Sequence, residues 1–459
     1  MLQELVLPEI RELIESKDDV TLRETLDRWL PADVAILLDQ LTEEEDLAAL
    51  RLLRGPQRAR IFEYLERPSQ IRLLSGLSDD DVGSLLSDVA DDDRTSLLES
   101  LSETERLRCL DRLSAEQRAL AETLLRYPPD TVGRLMTPHV VCVRQHWTIQ
   151  HVLDHIRLHG QDSETLNVVY VVDDHHHLID DLRIRQLLLA DPRKTIQSLM
   201  NSNYVALRAT DDKRSAVEIF RKYDRTALPV VDDDGKLLGI VTIDDVIDVA
   251  EAAATQDMQR LGGLEALDES YAATPLLTLV RKRSVWLVVL FLGEMLTATA
   301  MGYFEDEIAK AVVLALFVPL IISSGGNSGS QAATLIVRAL ALNEISLSDW
   351  RSVLRREIAS GLMMGIVLGS IGFLRIALWS TFTTMYGPHW FMVALTVGLS
   401  LIGIVLWGCL AGAMIPFGLK RLGLDPATSS APFVATFVDV TGLVIYFTVA
   451  LTVLRGTLL

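Results

Sequence analysis

The segment ISSGGNSGSQAAT at residues 322–334 constrains how the C-terminal part of this chain is built. It interrupts an apolar stretch, AVVLALFVPLI before it and LIV after it, that is long enough to cross a membrane. Residues 325–331 carry no apolar side chain. Polar, irregular backbone at membrane depth is tolerated only against protein or a water-filled cavity. The segment therefore indicates either close helix packing or a wet pathway inside a membrane domain.

Five apolar segments of about 20 residues or more predict five membrane-spanning helices. They lie near residues 285–304, 310–341, 358–384, 390–418 and 431–454. Lys and Arg cluster before the first span, between the second and third, and between the fourth and fifth. The positive-inside rule then predicts a multi-pass protein of the cell inner (cytoplasmic) membrane, with residues 1–280 in the cytoplasm and the C-terminus outside.

The two parts of the chain differ in charge. Residues 1–280 contain 31 Lys and Arg against 53 Asp and Glu, a balance of −22, whereas residues 281–459 contain 12 against 9. Such an acidic part argues against a nucleic-acid partner, because phosphates would be repelled, and it suits divalent cations. The three cysteines form no CxxC pair and no GxxxxGK[ST] motif occurs, so neither a zinc ribbon nor a P-loop ATPase is indicated.

Residues 1–128 repeat a short helical unit. The repeats include LSDDDVGSLLSDV, ADDDRTSLLESL, SETERLRCLDRL and SAEQRALAETLL. Each unit carries a serine or an acidic residue near its start, which is typical of a helix N-cap. The pattern predicts an α-helical superhelix of stacked short helices.

A second repeat follows the prolines at 128–129. Leu-Met at 135–136 recurs at 199–200, and Val-Val-Asp-Asp at 171–174 recurs at 230–233. Helical stretches lie between these strand-like segments. Two copies of a β-α-β-β-α unit in tandem resemble a pair of CBS domains, which are regulatory modules that often bind adenine nucleotides.

The CBS resemblance implies a ribose-binding signature in which Thr or Ser is followed three residues later by Asp. The second copy has it at Thr242 and Asp245, whereas the first copy has Arg183 and Gln186 there. ATP contacts are therefore expected only at Thr242 and Asp245. The histidines at 175–177 are interpreted as a solvated turn between strands, because no second ligand cluster stands near them in the sequence.

Three ionisable residues, Glu294, Arg375 and Asp439, lie inside predicted spans. Each costs roughly 2.5–3.5 kcal/mol on insertion scales, so intramembrane charges are functional candidates by default. Asp439 has Ala435 at i−4, while Thr436 and Gly442 complete a narrow small and polar helix face. This face predicts a carboxylate that lines a wet pathway; the alternative is a buried pair with Arg375.

Asn327, Ser328 and Gln331 add neutral oxygens to the Asp439 carboxylate. Few carboxylates and several neutral oxygens suit Mg²⁺, which keeps its waters and usually takes one or two carboxylates. The alternative for the glycines is a packing motif that needs no ion. The residues expected to line the pathway are Gly325, Gly326, Asn327, Gly329, Gln331, Ala435, Thr436 and Gly442.

With these motifs in place, the sequence resembles the MgtE family of magnesium transporters and channels along nearly its whole length. The stretches that carry the resemblance are VPLIISSGGNSGSQAATLIVRAL, RLGLDP and PFVATFVDVTGL. The resemblance implies a multidomain membrane protein and a homodimer, with one pore on the two-fold axis lined by the second and fifth spans. The pore aspartate of the family falls on Asp439.

The resemblance also implies a domain organisation. It consists of an acidic helical N domain (1–128), a first CBS domain (129–190), a second CBS domain (191–249), a connecting plug helix (250–280) and a five-helix transmembrane pore domain (281–459).

By the same resemblance, cytoplasmic Mg²⁺ bound to acidic residues of the cytosolic domains closes the pore. The matching metal positions are Asp212, Asp224, Asp245, Asp248, Glu251 and Asp257. The chain departs from the family pattern at three positions. Ala253 and Gln256 stand where relatives carry glutamates, and Ala431 stands where the family pattern has an asparagine.

The expected function is inward conduction of Mg²⁺, gated closed by cytoplasmic Mg²⁺. The main alternative is a transporter or exporter of another divalent cation, such as cobalt. An intramembrane protease is disfavoured, because no HExxH motif occurs and Asp439 is the one intramembrane aspartate. The protein is therefore not expected to be an enzyme.

Overall fold

The computed structural model describes residues 2–267, 271, 274–428 and 430–458. The chain divides into two compact units, Met1–Ala252 and Ala253–Leu459. Each unit has its own hydrophobic core. Division into separate cores is expected for a chain of this length.

Short helices build the first part of the N-terminal unit. They are α1 (Leu2–Ser16), α2 (Asp19–Asp27), α3 (Pro31–Leu38), α4 (Glu43–Leu52), α5 (Gly55–Glu63), α6 (Arg67–Gly76), α7 (Asp79–Asp88), α8 (Asp91–Ser100), α9 (Glu103–Leu110) and α10 (Ala115–Leu124). Ser78, Ser102 and Ser114 accept a hydrogen bond from the backbone N–H three residues on, as N-caps do. Helices two places apart pack together, α3 on α5, α5 on α7 and α7 on α9, and their leucines share one core.

The duplicated α/β unit is present as the sequence predicted. The first copy contains β1 (Cys142–Val143), α11 (Ile149–His159), β2 (Val168–Val172), β3 (Leu178–Arg183) and α12 (Ile184–Leu189); the second contains β4 (Leu207–Arg208), α13 (Lys213–Tyr223), β5 (Ala227–Val231), β6 (Leu237–Thr242) and α14 (Ile243–Leu261). In both copies the first strand runs parallel to the second, and the second runs antiparallel to the third. Each copy thus forms a three-stranded sheet.

Five helices are long and apolar enough to cross a membrane, in agreement with the predicted spans. After α14 come α15 (Leu276–Tyr303), α16 (Glu305–Lys310), α17 (Val318–Ala341), α18 (Trp350–Ser380), α19 (Trp390–Arg421) and α20 (Ala431–Val453); the short α16 is the one that does not span. The most apolar window of α19 is 61% buried within the chain, but that of α15 is 6% buried. Helix α19 is therefore the centre of this unit, and α15 lies at its edge.

The polar segment 325–331 lies within α17, which is α-helical throughout. The segment is therefore not the irregular backbone that its glycines and polar side chains would allow. The backbone amides of the segment stay within the helix, so the glycines must act through packing.

The histidine turn between β2 and β3 adopts the backbone of a tight turn. The Asp173 Oδ1 atom accepts hydrogen bonds from the backbone N–H groups of His175 and His177. His176 has φ +71°, in the left-handed region, and the matching residue of the second copy is Gly235 with φ +85°. The two copies therefore share one turn geometry, and the second copy has glycine, which adopts the left-handed conformation without strain, at the position that requires it.

We predict that His176→Gly stabilises the N-terminal unit by roughly 0.5–1 kcal/mol, because the left-handed conformation costs an L-residue about 1–2 kcal/mol and the entropy of unfolded glycine offsets part of that. Thermal unfolding of the purified protein measures the change. His175→Gly is the matched control, since His175 has no positive φ. Equal melting temperatures for His176→Gly and the unmodified protein would contradict the prediction.

Candidate ion pathway and regulatory acids

Gly326 faces the carboxylate of Asp439 across the contact between α17 and α20. A Cβ atom at Gly326 would lie 3.1 Å from Asp439 Oδ1 and 3.4 Å from the Cβ of Ala435. The absence of a side chain on α17 thus leaves space for the carboxylate on α20. The structure brings together three of the predicted residues, Gly326, Ala435 and Asp439.

Two other glycines that were predicted to line the pathway, Gly325 and Gly329, lie between closely packed helices. A Cβ at Gly325 would lie 2.5 Å from Ile404 Cγ2 and 2.8 Å from Val438 Cγ1. A Cβ at Gly329 would lie 3.2 Å from the Gly408 carbonyl oxygen. Gly325 and Gly329 thus allow α17 to approach α19 and α20 closely, as the packing alternative expects, and their place along the pathway stays a prediction.

Gly442 on α20 also lies against a neighbouring helix. It is buried, and a Cβ there would lie 3.5 Å from Ile404 Cγ2. Thr436, one turn before Asp439, is half-buried, and its Cγ2 atom would lie 3.0 Å from a Cβ at Gly293 of α15. Thr436 therefore lies where α15 meets α20, beside the carboxylate.

Asn327 and Gln331 lie on the exposed side of α17, four residues apart. The Asn327 Nδ2 group donates a hydrogen bond to Ser323 Oγ at 3.3 Å, and the Ser330 Oγ group donates to the Ala431 carbonyl at 3.0 Å. The two amides are thus open to a ligand from outside the chain, whereas Ser330 ties α17 to the start of α20.

Asp439 is half-buried, and within the described part of the chain no ion pair reaches it. Glu294 on α15 lies close enough for its charge to act on Asp439. Arg375 is exposed and stacks over the Trp379 ring, its guanidinium carbon 5.7 Å from the ring centroid. The structural pair between Asp439 and Arg375, which the sequence left open, is therefore not formed.

A cluster of carboxylates lies where α8 meets the start of α14 in the N-terminal unit. Burial, followed by the charges of Asp245, Asp93 and Glu164, raises the pKa of Asp92 well above its usual value. Burial also raises the pKa of Asp245 to about 7, with a contribution from Asp244 and against a hydrogen bond from Thr242. These acids repel one another and favour a bound proton or cation.

Sequence reasoning found Asp245 but missed Asp92, Asp93 and Glu164. The sequence signal for this cluster is the run of three aspartates that opens α8. The same run is typical of a helix N-terminus, where acidic residues are common. Glu164 lies between α11 and β2, about 70 residues from α8, so its approach depends on the tertiary fold.

The other predicted regulatory acids are distributed along α13 and α14. Asp212 caps α13 by accepting from the Arg214 N–H at 2.7 Å, and Asp224 ends α13 with φ +51°. Burial and then Glu251 raise the pKa of Asp248, and Asp257 lies further along α14. Among the residues that the structure describes, no three His, Cys, Asp or Glu side chains converge to hold a metal ion by themselves.

Of the two residues of the predicted nucleotide signature, Thr242 donates a hydrogen bond from its Oγ1 group to Asp245 Oδ2 at 2.8 Å. In the first copy the Gln186 side chain accepts from the Arg183 N–H at 2.9 Å instead. A cavity of about 400 Å³ nevertheless lies there. Its lining residues are Asp181, Arg183, Arg185, Gln186, Leu189, Asn201, Asn203 and Arg225.

The end of α14 is tied to the membrane helices by direct contacts. The Arg260 guanidinium is 2.6 Å from Asp425 in the segment before α20. The Trp286 indole on α15 donates to the Ser430 hydroxyl at 3.1 Å, and Ser430 is the N-cap of α20. A Cβ at Gly263 would lie 2.7 Å from the Trp286 ring. A displacement of the end of α14 would therefore also displace the start of α20, the helix that carries Asp439.

The chain matches three family profiles. Residues 318–449 match a divalent cation transporter family named MgtE, residues 29–130 match the MgtE intracellular N domain, and residues 132–192 and 196–252 each match a CBS domain.

Similar proteins cover the same regions. The chain is 39% identical over 452 residues to a magnesium transporter MgtE of Thermus thermophilus, covering 98% of each chain. It is 31% identical over 336 residues to a magnesium transporter MgtE of Enterococcus faecalis, covering 73% of this chain and 72% of that one. A solved structure, the cytosolic domain of the Mg²⁺ channel MgtE in complex with ATP, is 34% identical with a TM-score of 0.51, covering 53% of this chain and 99% of that one.

We predict that Gly325→Ala destabilises the membrane unit by roughly 1–3 kcal/mol, because the added methyl group overlaps Ile404 and Val438. Gly418→Ala on α19 is the matched control, since nothing lies within 4 Å of a Cβ there. Thermal unfolding in detergent compares the two variants. Equal melting temperatures would contradict the packing role of Gly325.

Proposed function

The chain belongs to the MgtE family of divalent cation transporters, and from that premise we propose that it carries Mg²⁺ across a membrane along a pathway that passes Asp439. The observation that carries this proposal is the half-buried Asp439 carboxylate beside Gly326, with no ion pair in the described part of the chain. An uncompensated carboxylate at membrane depth is costly and needs a cation.

The oxygen groups that we propose for the pathway favour Mg²⁺ that keeps most of its water. Mg²⁺ demands octahedral geometry and dehydrates reluctantly, so it is usually bound by one or two carboxylates plus water. Asp439 supplies one carboxylate, and the exposed amides of Asn327 and Gln331 supply neutral oxygens that contact the ion through water. Glu294 adds a second negative charge nearby. An alternative cargo, another divalent cation such as cobalt, would use the same charge but favours nitrogen ligands more.

We propose that the pore forms between two copies of the chain. Helix α15 is 6% buried in its most apolar window, and Asn327 and Gln331 point away from their own helix bundle. A second copy would cover such a surface and bring two Asp439 carboxylates to one axis. Proposed placement in the cytoplasmic membrane, with the N-terminus inside and conduction inward, rests on the basic residues at 281–283 and 355–356.

Closure by cytoplasmic Mg²⁺ is proposed from the acids of the N-terminal unit. The charge of Asp245 contributes to the raised pKa of Asp92, and the pKa of Asp245 is raised as well. Separation of α8 from α14 would relieve the repulsion between the two carboxylates. A cation that bridges them would oppose the separation. If the cation binds only the closed arrangement, it stabilises that arrangement by mass action. The contacts of Arg260 and Trp286 then pass the position of α14 to α20.

The metal positions expected from the sequence, Asp212, Asp224, Asp248, Glu251 and Asp257, remain proposals for further bridging sites. Ala253 and Gln256 carry no carboxylate, so the connecting helix contributes less charge to this sensor. ATP is a proposed additional ligand. The support for it is the Thr242 and Asp245 pair together with the similar cytosolic domain in complex with ATP.

We predict that Asp439→Ala abolishes Mg²⁺ uptake, or reduces it at least about tenfold, because the carboxylate next to Gly326 is lost. Flux into liposomes that contain the purified protein measures this. Glu344→Gln is the control, since it removes a carboxylate from an exposed residue after α17 and should leave flux unchanged. Wild-type flux in Asp439→Ala, with the protein folded, would reject the pathway.

A second prediction concerns the acids at Asp92 and Asp245. Because their pKa values in the folded unit lie above the usual 3.8, the contact between α8 and α14 is most stable at low pH. It loses stability as pH rises from that value toward the pKa of Asp245, which is about 7. Without Mg²⁺, hydrogen exchange in α8 and the start of α14, corrected for intrinsic rates, should therefore increase between about pH 5 and pH 8. Millimolar Mg²⁺ should restore protection at the upper end.

Asp92→Asn with Asp245→Asn should flatten the pH dependence and remove most of the protection by Mg²⁺, because neither residue can then ionise or bridge. Asp80→Asn on α7 is the control. If the double variant responds to pH and Mg²⁺ as the unmodified protein does, these acids are not the sensor.

A further inference from the structure

Three histidines form a ladder along one side of α11. His151, His155 and His159 are spaced four residues apart, which aligns them on one helix face. The ring centroids of His155 and His159 are 4.7 Å apart. The Trp147 ring lies 4.6 Å from His151 and 5.1 Å from His155, edge-on to both.

The ladder belongs to the first α/β copy alone. The matching positions of α13 in the second copy, 64 residues on, are Ser215, Ile219 and Tyr223. The shared fold therefore does not require imidazoles here. His151 and His159 are exposed and His155 is half-buried, so the ladder does not fill a core either.

The half-buried imidazole of His155 lies between the other two histidines of the ladder, with its ring centroid 4.7 Å from that of His159. A neutral ring nitrogen is the form that binds metal ions. The three imidazoles present their ring nitrogens along one face of α11.

We propose that His155 and His159 together bind a transition-metal ion of the Zn²⁺ class, with water completing its coordination. Two histidines at i and i+4 on one helix face hold zinc in known helical motifs, so the spacing itself suits chelation. Asp154 does not supply a third ligand, because it is held by Gln150 and Arg157. The site therefore has two protein ligands, which agrees with the lack of a three-residue metal group among the described residues.

The chemistry of this site separates it from the magnesium acids. Mg²⁺ takes oxygen ligands, whereas imidazole suits Zn²⁺, Ni²⁺, Co²⁺ and Cu²⁺. An ion on α11 would stabilise the first α/β copy by mass action and leave the carboxylates of α8 and α14 untouched. The N-terminal unit would then respond to two classes of cation through two sets of residues.

Calorimetric titration of the full-length protein in detergent, with any affinity tag of histidines removed, tests the proposal with ZnCl₂ and MgCl₂ as probes. His155→Ala and His159→Ala should each weaken Zn²⁺ binding by about tenfold or more. His151→Ala, on the same face but outside the closest pair, should weaken it less. Zn²⁺ affinity should fall below pH 6 as the imidazoles protonate.

Two controls make the result decisive. Replacing His175, His176 and His177 together by Ala removes the other histidine cluster and should leave Zn²⁺ affinity unchanged. His159 is exposed, so His159→Ala keeps the test valid if His155→Ala does not fold. Unchanged Zn²⁺ affinity in His159→Ala, or an equal loss in the 175–177 variant, would overturn the proposal and leave the ladder as aromatic packing alone. Neither arm depends on magnesium transport.

Discussion

The membrane unit depends on the close approach of α17 to α19. Gly325 and Gly329 on α17 meet Gly408 and Gly412 on α19, and a Cβ at Gly408 would lie 2.5 Å from the Gly325 carbonyl oxygen. Without a hydrophobic effect between helices in lipid, such backbone contact supplies the van der Waals packing that holds them together. A side chain at these positions would push the helices apart.

That packing also determines where polar groups are allowed. Gly326 follows Gly325 and faces α20, so the same run of small residues that seats α17 against α19 also leaves space for the Asp439 carboxylate. Asn327 comes next and faces outward. One helical segment therefore provides helix packing, room for a charge and ligand oxygens on three different faces, because successive residues are turned about 100° from one another.

The cytosolic unit differs from the membrane unit in that its buried carboxylates repel one another. Asp92 and Asp245 come from helices far apart in sequence, and burial makes their simultaneous ionisation unfavourable. A proton or a divalent cation relieves the conflict, so the stability of this contact depends on the solution. The hydrogen bond from the Trp286 indole to the Ser430 hydroxyl, between α15 and the start of α20, lies in the other unit.

The sequence by itself determined the five membrane helices, the serine-capped helices, the duplicated α/β copies and the presence of a carboxylate, Asp439, inside the last span. These features depend on local patterns: apolar length, capping residues, repeated motifs and a charge in an apolar span. Only the tertiary structure decided which glycines pack and which one faces the carboxylate, and that Arg375 is not its partner. It alone brought Asp92 and Glu164 to Asp245, because no local pattern records which helix faces meet when residues about 70 to 150 positions apart are packed together.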